Sequence, residues 1–339
     1  MTHVGNAGSG SRSRIGTRER QSQPGVTGLL IRPLQEHDLP AADRILRLAF
    51  GTFIGHPDPP KLWPGKDYIR TRWLADPTAA FGAELDGDLV GSNFATRWGS
   101  VGFFGPVTVH PDLWDQGVAR RLLDPVVALF ARWGIAHAGL FTFPHSPKHI
   151  HLYQKFDFWP RYLTGIMSKS VTGLAPVRGS ARYSELSKDE QGAQLAACRD
   201  LADAIYPGLD LEREIRAVAD QGLGDTVLVR DDAGLAGFAV CHCGAGTEAG
   251  DGACYVKFAA ARPGPTAARS FDGLLDACEA LAAARNMSRL VGGVNLARHE
   301  AYRRMIARGF RTDSQGVTMH RPNDPCYNRP GVYLIDDWR

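Results

Sequence analysis

The stretch Gly105-Pro106-Val107-Thr108-Val109-His110-Pro111-Asp112-Leu113-Trp114-Asp115-Gln116-Gly117-Val118-Ala119-Arg120-Arg121-Leu122-Leu123 decides the fold. It reads as an apolar strand, Val101–Val109, then a polar turn, then an amphipathic helix. Val118, Leu122, Leu123, Val126, Val127 and Phe130 recur at helical spacing as far as Trp133. Gly117 and Ala119 carry little bulk, so a ligand can come close to the helix start. The N–H groups of a first helical turn lack internal partners and carry partial positive charge, which suits phosphate. Arg120 and Arg121 add cationic side chains. Taken alone, the pattern also fits an ordinary tight strand-to-helix turn. Pro125, inside the helix, removes a backbone hydrogen bond and predicts a kink.

Upstream, Leu29–Pro33 reads as a short strand, and Asp38-Leu39-Pro40 opens a helix with Asp38 as N-cap. A Pro- and Trp-containing loop, Gly55 to Gly65, leads to a helix near Tyr68–Leu74. Ala80–Leu85, Asp86-Gly87-Asp88 and Leu89–Thr96 form a hairpin. Downstream come a strand, Leu140–Phe143, a helix, Lys148–Phe156, and a closing strand, Tyr162–Lys169. The order recurs after residue 180: helices near 189–205 and 211–219, a hairpin over 226–229 and 235–243, a strand at 253–260, a helix at 270–284, a strand at 289–294 and a helix at 299–307. This predicts an internal duplication of a unit of about 150 residues. The expected organisation is a disordered leader (1–27), a first domain (28–172), a linker near Val171–Gly179 and a second domain (180–339).

A second segment, Phe141-Thr142-Phe143-Pro144-His145-Ser146-Pro147-Lys148-His149-Ile150-His151-Leu152-Tyr153-Gln154-Lys155-Phe156-Asp157-Phe158, follows the next strand. Together the two segments resemble the GNAT superfamily of N-acetyltransferases. Its motif Gln/Arg-x-x-Gly-x-Gly/Ala is matched by Gly117 and Ala119, with Trp114 in the leading position. Its pattern Asn-x-x-Ala-x-x-Leu-Tyr-x-Lys-x-Gly-Phe is matched by Leu152, Tyr153, Lys155 and Phe158. Ser146, His149 and Asp157 depart from it.

The resemblance implies an α/β (α+β) fold of two GNAT-like domains. Each would be a mixed, mostly antiparallel twisted sheet flanked by helices and splayed between its fourth and fifth strands. It implies acetyl-CoA, or another short acyl-CoA, as co-substrate. The pantetheine arm would pair with the edge of Val107, Thr108 and Val109. The diphosphate would lie on the backbone of Gln116, Gly117, Val118, Ala119 and Arg120, and Ser146 and His149 would border the cofactor. A deprotonated amine would attack the thioester directly, with a backbone N–H near Val109 or His110 facing the developing oxyanion. Tyr153 occupies the position of the acid that protonates the leaving thiolate. The base is open among His110, His145, His149, His151 and Glu84, or falls to water. Phe50, Phe53, Trp63, Tyr68, Asn93 and Thr96 are expected to line the acceptor pocket, although core packing accounts for aromatic residues there equally well.

The second half resembles the superfamily only weakly, through Ala301 and Gly309-Phe310. The position matching Tyr153 is Met305, which has no proton to give; Tyr302 stands one turn earlier. Pro263 and Pro265 replace the diphosphate turn and remove backbone donors. The expectation is therefore a catalytic first half and a degenerate second half, with Tyr333–Arg339 as a final sealing strand. The expected activity is N-acyl transfer to a primary amine of a small molecule. The alternatives are a non-catalytic acyl-CoA sensor or scaffold and a protein N-acetyltransferase.

Composition bounds the rest. The chain has 339 residues, 44% hydrophobic and 22% charged, with net charge +3. That excludes wholesale disorder and argues against a nucleic-acid partner. No run of 18 apolar residues appears, which argues against a membrane span. A cytoplasmic monomer or homodimer is expected. Cys241-His242-Cys243 places two thiols on one strand face with the histidine on the other, and small buried hydrophobes are expected there in preference to a metal.

Overall fold

The computed structural model describes residues 26–173 and 179–339. Most of the expected leader and the middle of the expected linker lie outside the described residues.

The first half runs β1 (Leu30–Pro33), α1 (Leu39–Ile54), α2 (Ile69–Ala75), β2 (Ala80–Leu85), β3 (Asp88–Trp98), β4 (Val101–Phe104), β5 (Thr108–Val109), α3 (Val118–Trp133), β6 (His137–Thr142), α4 (Pro147–Gln154) and β7 (Trp159–Ser170). The second runs β8 (Ser180–Arg182), α5 (Lys188–Ile205), α6 (Glu212–Gln221), β9 (Gly224–Asp231), β10 (Gly234–Cys243), β11 (Ala253–Ala261), α7 (Ala267–Ala284), β12 (Arg289–Asn295), α8 (His299–Ala307), β13 (Arg311–Arg321) and β14 (Leu334–Ile335). Among the described residues, no helix is long and apolar enough to cross a membrane.

The local chemistry accounts for several boundaries. Ser187 and Glu190 form a reciprocal capping box at the start of α5. Asp38 stands at the expected N-cap position of α1, but its side chain makes no capping bond there. Its carboxylate accepts instead from the Gln35 amide at 2.8 Å and from Arg32 at 2.6 Å. α3 is continuous from residue 118 to 133 with Pro125 inside it. The expected strand 101–109 is in fact two strands, broken over residues 105–107.

The halves do not keep separate sheets. One 14-stranded sheet runs through the molecule in the order β1-β2-β3-β4-β6-β13-β7-β12-β11-β10-β9-β8. The closing strands are exchanged. β6 pairs with β13 of the second half, from Thr142↔Val317 to Ala138↔Arg321. β7 pairs with β13 on one side and with β12 on the other. The expected closing strand of the first half thus completes the second, and the reverse. The core follows suit. Trp98, Val101 and Phe103 of the first half pack into one cluster with Leu201, Ile215, Phe238 and Phe258 of the second. Burying each such side chain stabilises the fold by roughly 1.5–3 kcal/mol, so the seam between the halves is held as firmly as either interior.

At the seam His137 Nε2 lies 2.9 Å from His320 Nδ1, and His137 Nδ1 lies 3.1 Å from Asp324. Burial lowers the pKa of His137 to about 4 and that of His320 to about 3. The Trp338 ring covers this pair, 5.0 Å from His320.

Candidate active site

β4 and β6 run parallel and pair at Val101↔His137, Gly102↔Ala138 and Phe103↔Gly139. Beyond Gly105 the chain leaves β6, and β5 pairs only with β3, at Gly91↔Val109 and Ser92↔Thr108. The result is a wedge-shaped gap between β5 and the far end of β6. The His110 amide donates to the Val90 carbonyl at 2.8 Å, so it is spent inside the sheet and cannot serve an oxyanion as expected. By strand alternation the backbone groups of Val107 and Val109 point the other way, into the gap. The Val109 carbonyl already accepts from the Trp114 indole at 2.9 Å. Trp114, the residue that departs from the family pattern, therefore braces this edge.

The gap ends at the start of α3. Gly117 is the N-cap in a left-handed conformation, φ +83°, which favours glycine, and a Cβ there would meet nothing within 4 Å. No side chain caps this helix start among the described residues, so its first amides face outward. Lys148, at the start of α4, reaches Asp115 on this turn at 2.6 Å. Its ammonium also lies over the Trp114 ring.

Tyr153 lies in the core under the gap, in one cluster with Phe104, Phe158 and the half-buried Val107. Burial pushes its phenol up to about 12, against a smaller opposing effect from Thr142. It holds its proton across the physiological range. His149 stands one turn earlier on α4 and so shares the face of Tyr153. Its pKa is lowered, first by burial and then by Lys148 and His145, which favours the free-base imidazole. Ser146 is the N-cap of α4, accepting from the His149 amide at 3.4 Å. His110 caps the 3-10 turn Pro111–Leu113, its ring accepting from the Asp112 amide at 3.4 Å. Glu84 pairs with Arg32 at 2.6 Å, which disqualifies it as a base.

Seven rings gather beyond the end of β6, around Phe53 and Phe143. Phe50 lies 5.2 Å from Trp63, and Phe53 lies 4.7 Å from Phe143 and 4.8 Å from His149. Trp63 meets Tyr68 edge-on, and exposed His145 stacks on Phe53. Thr96 is half-buried on the sheet. Asn93 is a correction: it is fully buried and donates to the Leu122 carbonyl at 3.1 Å, tying β3 to α3 and lining no pocket. Tyr68 is also mostly core, with the Arg72 guanidinium 5.3 Å from its ring.

The floor beneath these rings comes from both halves, and sequence reasoning missed it. Arg72 binds Glu248 through two nitrogens, at 2.8 and 3.0 Å, and Lys257 bridges Glu248 and Glu214 at 3.0 and 2.9 Å. The one available signal was Lys257 itself, a lone cation in the otherwise apolar run Ala253–Ala261.

The corresponding gap of the second half is filled. β14 pairs with β11 at Ala259↔Ile335 and Ala260↔Leu334, and the Ala261 amide donates to the Tyr333 carbonyl at 3.0 Å. Gly293 on β12 lets this strap pass, since a Cβ there would lie 2.3 Å from Asp337. A fully buried ion pair, Arg298 to Asp336 at 2.6 Å, locks it. Met305 is buried, as is Ala301. Cys241 and Cys243 face the same side, with their sulfurs 4.0 Å from Cys278 and 3.6 Å from Cys254.

Residues 48–158 match the Acetyltransferase (GNAT) family. The chain is also similar to a provisionally named acetyltransferase from Pyrococcus horikoshii, at 13% identity and a TM-score of 0.66, over 95% of this chain and 99% of that one. It is similar to a GCN5-related N-acetyltransferase from Sphaerobacter thermophilus, at 15% identity and a TM-score of 0.56, over 87% and 96%. It is similar to a glucosamine N-acetyltransferase region of a fungal multi-domain β-N-acetylglucosaminidase, at 12% identity and a TM-score of 0.60, over 86% and 38%. At such identities the structural likenesses carry the fold. No curated protein matches the sequence.

Proposed function

We propose that the chain is a GNAT-type acyltransferase whose first half, which carries the matched residues 48–158, moves an acetyl or other short acyl group from acyl-CoA to the primary amine of a small molecule. The observation that carries this reading is the pair of unequal gaps: the first is open and ends on a bare helix start, and the second is filled by the chain itself.

In this reading the pantetheine arm adds to the edge of Val107 and Val109 as a further strand would. The diphosphate rests on the amides of Val118, Ala119 and Arg120, with Lys148 swinging from Asp115 to the phosphates. The amine nitrogen attacks the thioester carbon, the C–S bond breaks, and the sulfur leaves as thiolate. Tyr153, kept protonated by burial, donates to that sulfur and regains a proton from the nitrogen as the amide forms. His149, kept neutral by burial, takes the proton of the incoming ammonium. The ring cluster around Phe53 and Phe143 suits an apolar or planar acceptor. Lys66, with its ammonium within 5.9 Å of the Trp63 and Tyr68 ring centres, disfavours a polycation there.

The test is CoA release from acetyl-CoA over a panel of aryl, alkyl and sugar amines and of peptides. Release with small amines supports the reading. Release only with peptides moves the activity to proteins. Tight acyl-CoA binding with no release on any acceptor assigns the chain to the sensor class.

A further inference from the structure

We infer that Arg72, clamped by Glu248 of the second half, is a positioning residue that fixes the Gly105 carbonyl and with it the point where the catalytic gap opens. The inference rests on the transferase reading for its kinetic consequence, but not for its geometry.

Gly105 is the hinge of the gap. It follows the last residue of β4, and two residues later the chain presents the Val107 edge. Its amide donates to the Phe94 carbonyl at 2.8 Å, which fixes one side of the peptide. Its carbonyl accepts from Arg72 Nη1 at 2.6 Å, which fixes the other. The guanidinium has little freedom left. Nε and Nη2 bind both oxygens of Glu248, and Nη2 also donates to the Arg339 carbonyl. Arg72 and Glu248 are both buried, and 176 residues of sequence separate them.

Energetics argue against a role in stability alone. Burying an ion pair removes two charges from water, and that loss commonly matches the attraction regained. A well-packed apolar pair would serve the fold as well. What an apolar pair lacks is a rigid fork of donors that spans a carboxylate and a backbone carbonyl at once. Lys257 and Glu214 extend the clamp into the second half, where the Trp98 indole donates to Glu214 at 3.2 Å. The degenerate half therefore acts on the reaction without touching the cofactor. A displacement of about 1 Å at a reacting centre can cost on the order of 100-fold in rate.

The test uses the full-length chain carrying R72M and E248Q together. This pair leaves Lys257 matched by Glu214, so no buried charge is stranded. Two readouts are taken. In amide hydrogen exchange, the peptide covering residues 101–110 is expected to exchange at least tenfold faster, while α3 is unchanged. In kinetics, kcat is expected to fall at least tenfold while KM for acyl-CoA stays within about threefold. Exchange and kcat both within twofold of wild type would overturn the inference. Faster exchange with unchanged kcat would overturn the positioning role. If the double variant does not fold, R72K is used. Lysine lacks the planar fork that pairs with both Glu248 oxygens while meeting the Gly105 carbonyl, so the same signature is expected in weaker form, and its absence refutes the clamp. A wild-type chain that turns over no amine sinks the transferase reading, and the exchange readout still decides whether Arg72 holds Gly105.

Discussion

The molecule contains the same gap twice and uses it in opposite ways. In the first half, β5 turns away from β6 and leaves a strand-wide slot that ends on Gly117. In the second, the slot beside β11 receives Leu334 and Ile335, and Pro263 and Pro265 stand where backbone donors would be needed. A backbone edge left unpaired is a liability, and two remedies are visible here. One edge stays open and is braced by Trp114. The other is paired permanently by the chain. A slot of this kind can thus be closed without loss of the fold's shape when something of strand form fills it.

Four measurements press on this contrast. The largest effect is expected from Gly117→Glu, which puts a carboxylate and a strained backbone where the diphosphate is proposed to rest. Acyl-CoA affinity by titration calorimetry should fall by at least about 100-fold, the equivalent of roughly 3 kcal/mol. The matching change in the second half, Thr266→Glu at the start of α7, should leave affinity untouched; equal losses would place the cofactor in both slots. Tyr153→Phe comes next. Turnover should drop by about 100-fold with unchanged acyl-CoA affinity, while Tyr302→Phe in the second half leaves turnover alone. A fully active Tyr153→Phe enzyme would remove the acid from the mechanism.

Third, Leu334→Ala tests the filled slot. Leu334 is fully buried, so the truncation should cost about 2–5 kcal/mol by denaturant titration without weakening acyl-CoA binding. A loss below about 1 kcal/mol would mean that the strap merely lies on the surface. The smallest effect concerns pH. The folded-state pKa values of His137 and His320 lie below the ordinary 6.5, so between those values the unfolded chain binds more protons. The contribution of the pair is complete above pH 6.5 and is lost as pH falls toward about 4, by up to about 3 kcal/mol for His137. Urea midpoints between pH 7.5 and 4.5 should show the decline, and H137Q/H320Q should flatten it. A decline of the same size in that variant would assign it to other groups.

The strands and helices were largely legible in sequence because local patterns encode them. The helical spacing of Val118 to Phe130 and the turns at Asp86-Gly87 and Asp231–Gly234 suffice to place their elements. What was not legible depends on residues far apart. The exchange of β7 and β13 leaves each strand's own composition unchanged, since either partner satisfies the same edge. Arg72 and Glu248 carry no shared motif, and neither reveals the other. Asn93 shows the converse error: a polar residue near an expected pocket looks like a ligand until its amide is seen to tie β3 to α3. The aromatic cluster was half read. The sequence pattern points to Phe50, Phe53 and Trp63, but in it Phe143 reads only as the end of a strand.

The exchanged strands also dictate when this protein can fold. His137 meets a partner 183 residues further along the chain. A ribosome adding about 5–20 residues per second needs on the order of 10–40 s to travel that distance. Throughout that interval the emerging first half has β6 with one bare edge and no closing strand of its own to cover it. The nascent chain is then at its most exposed to aggregation, and the cell's chaperones have their longest access to it.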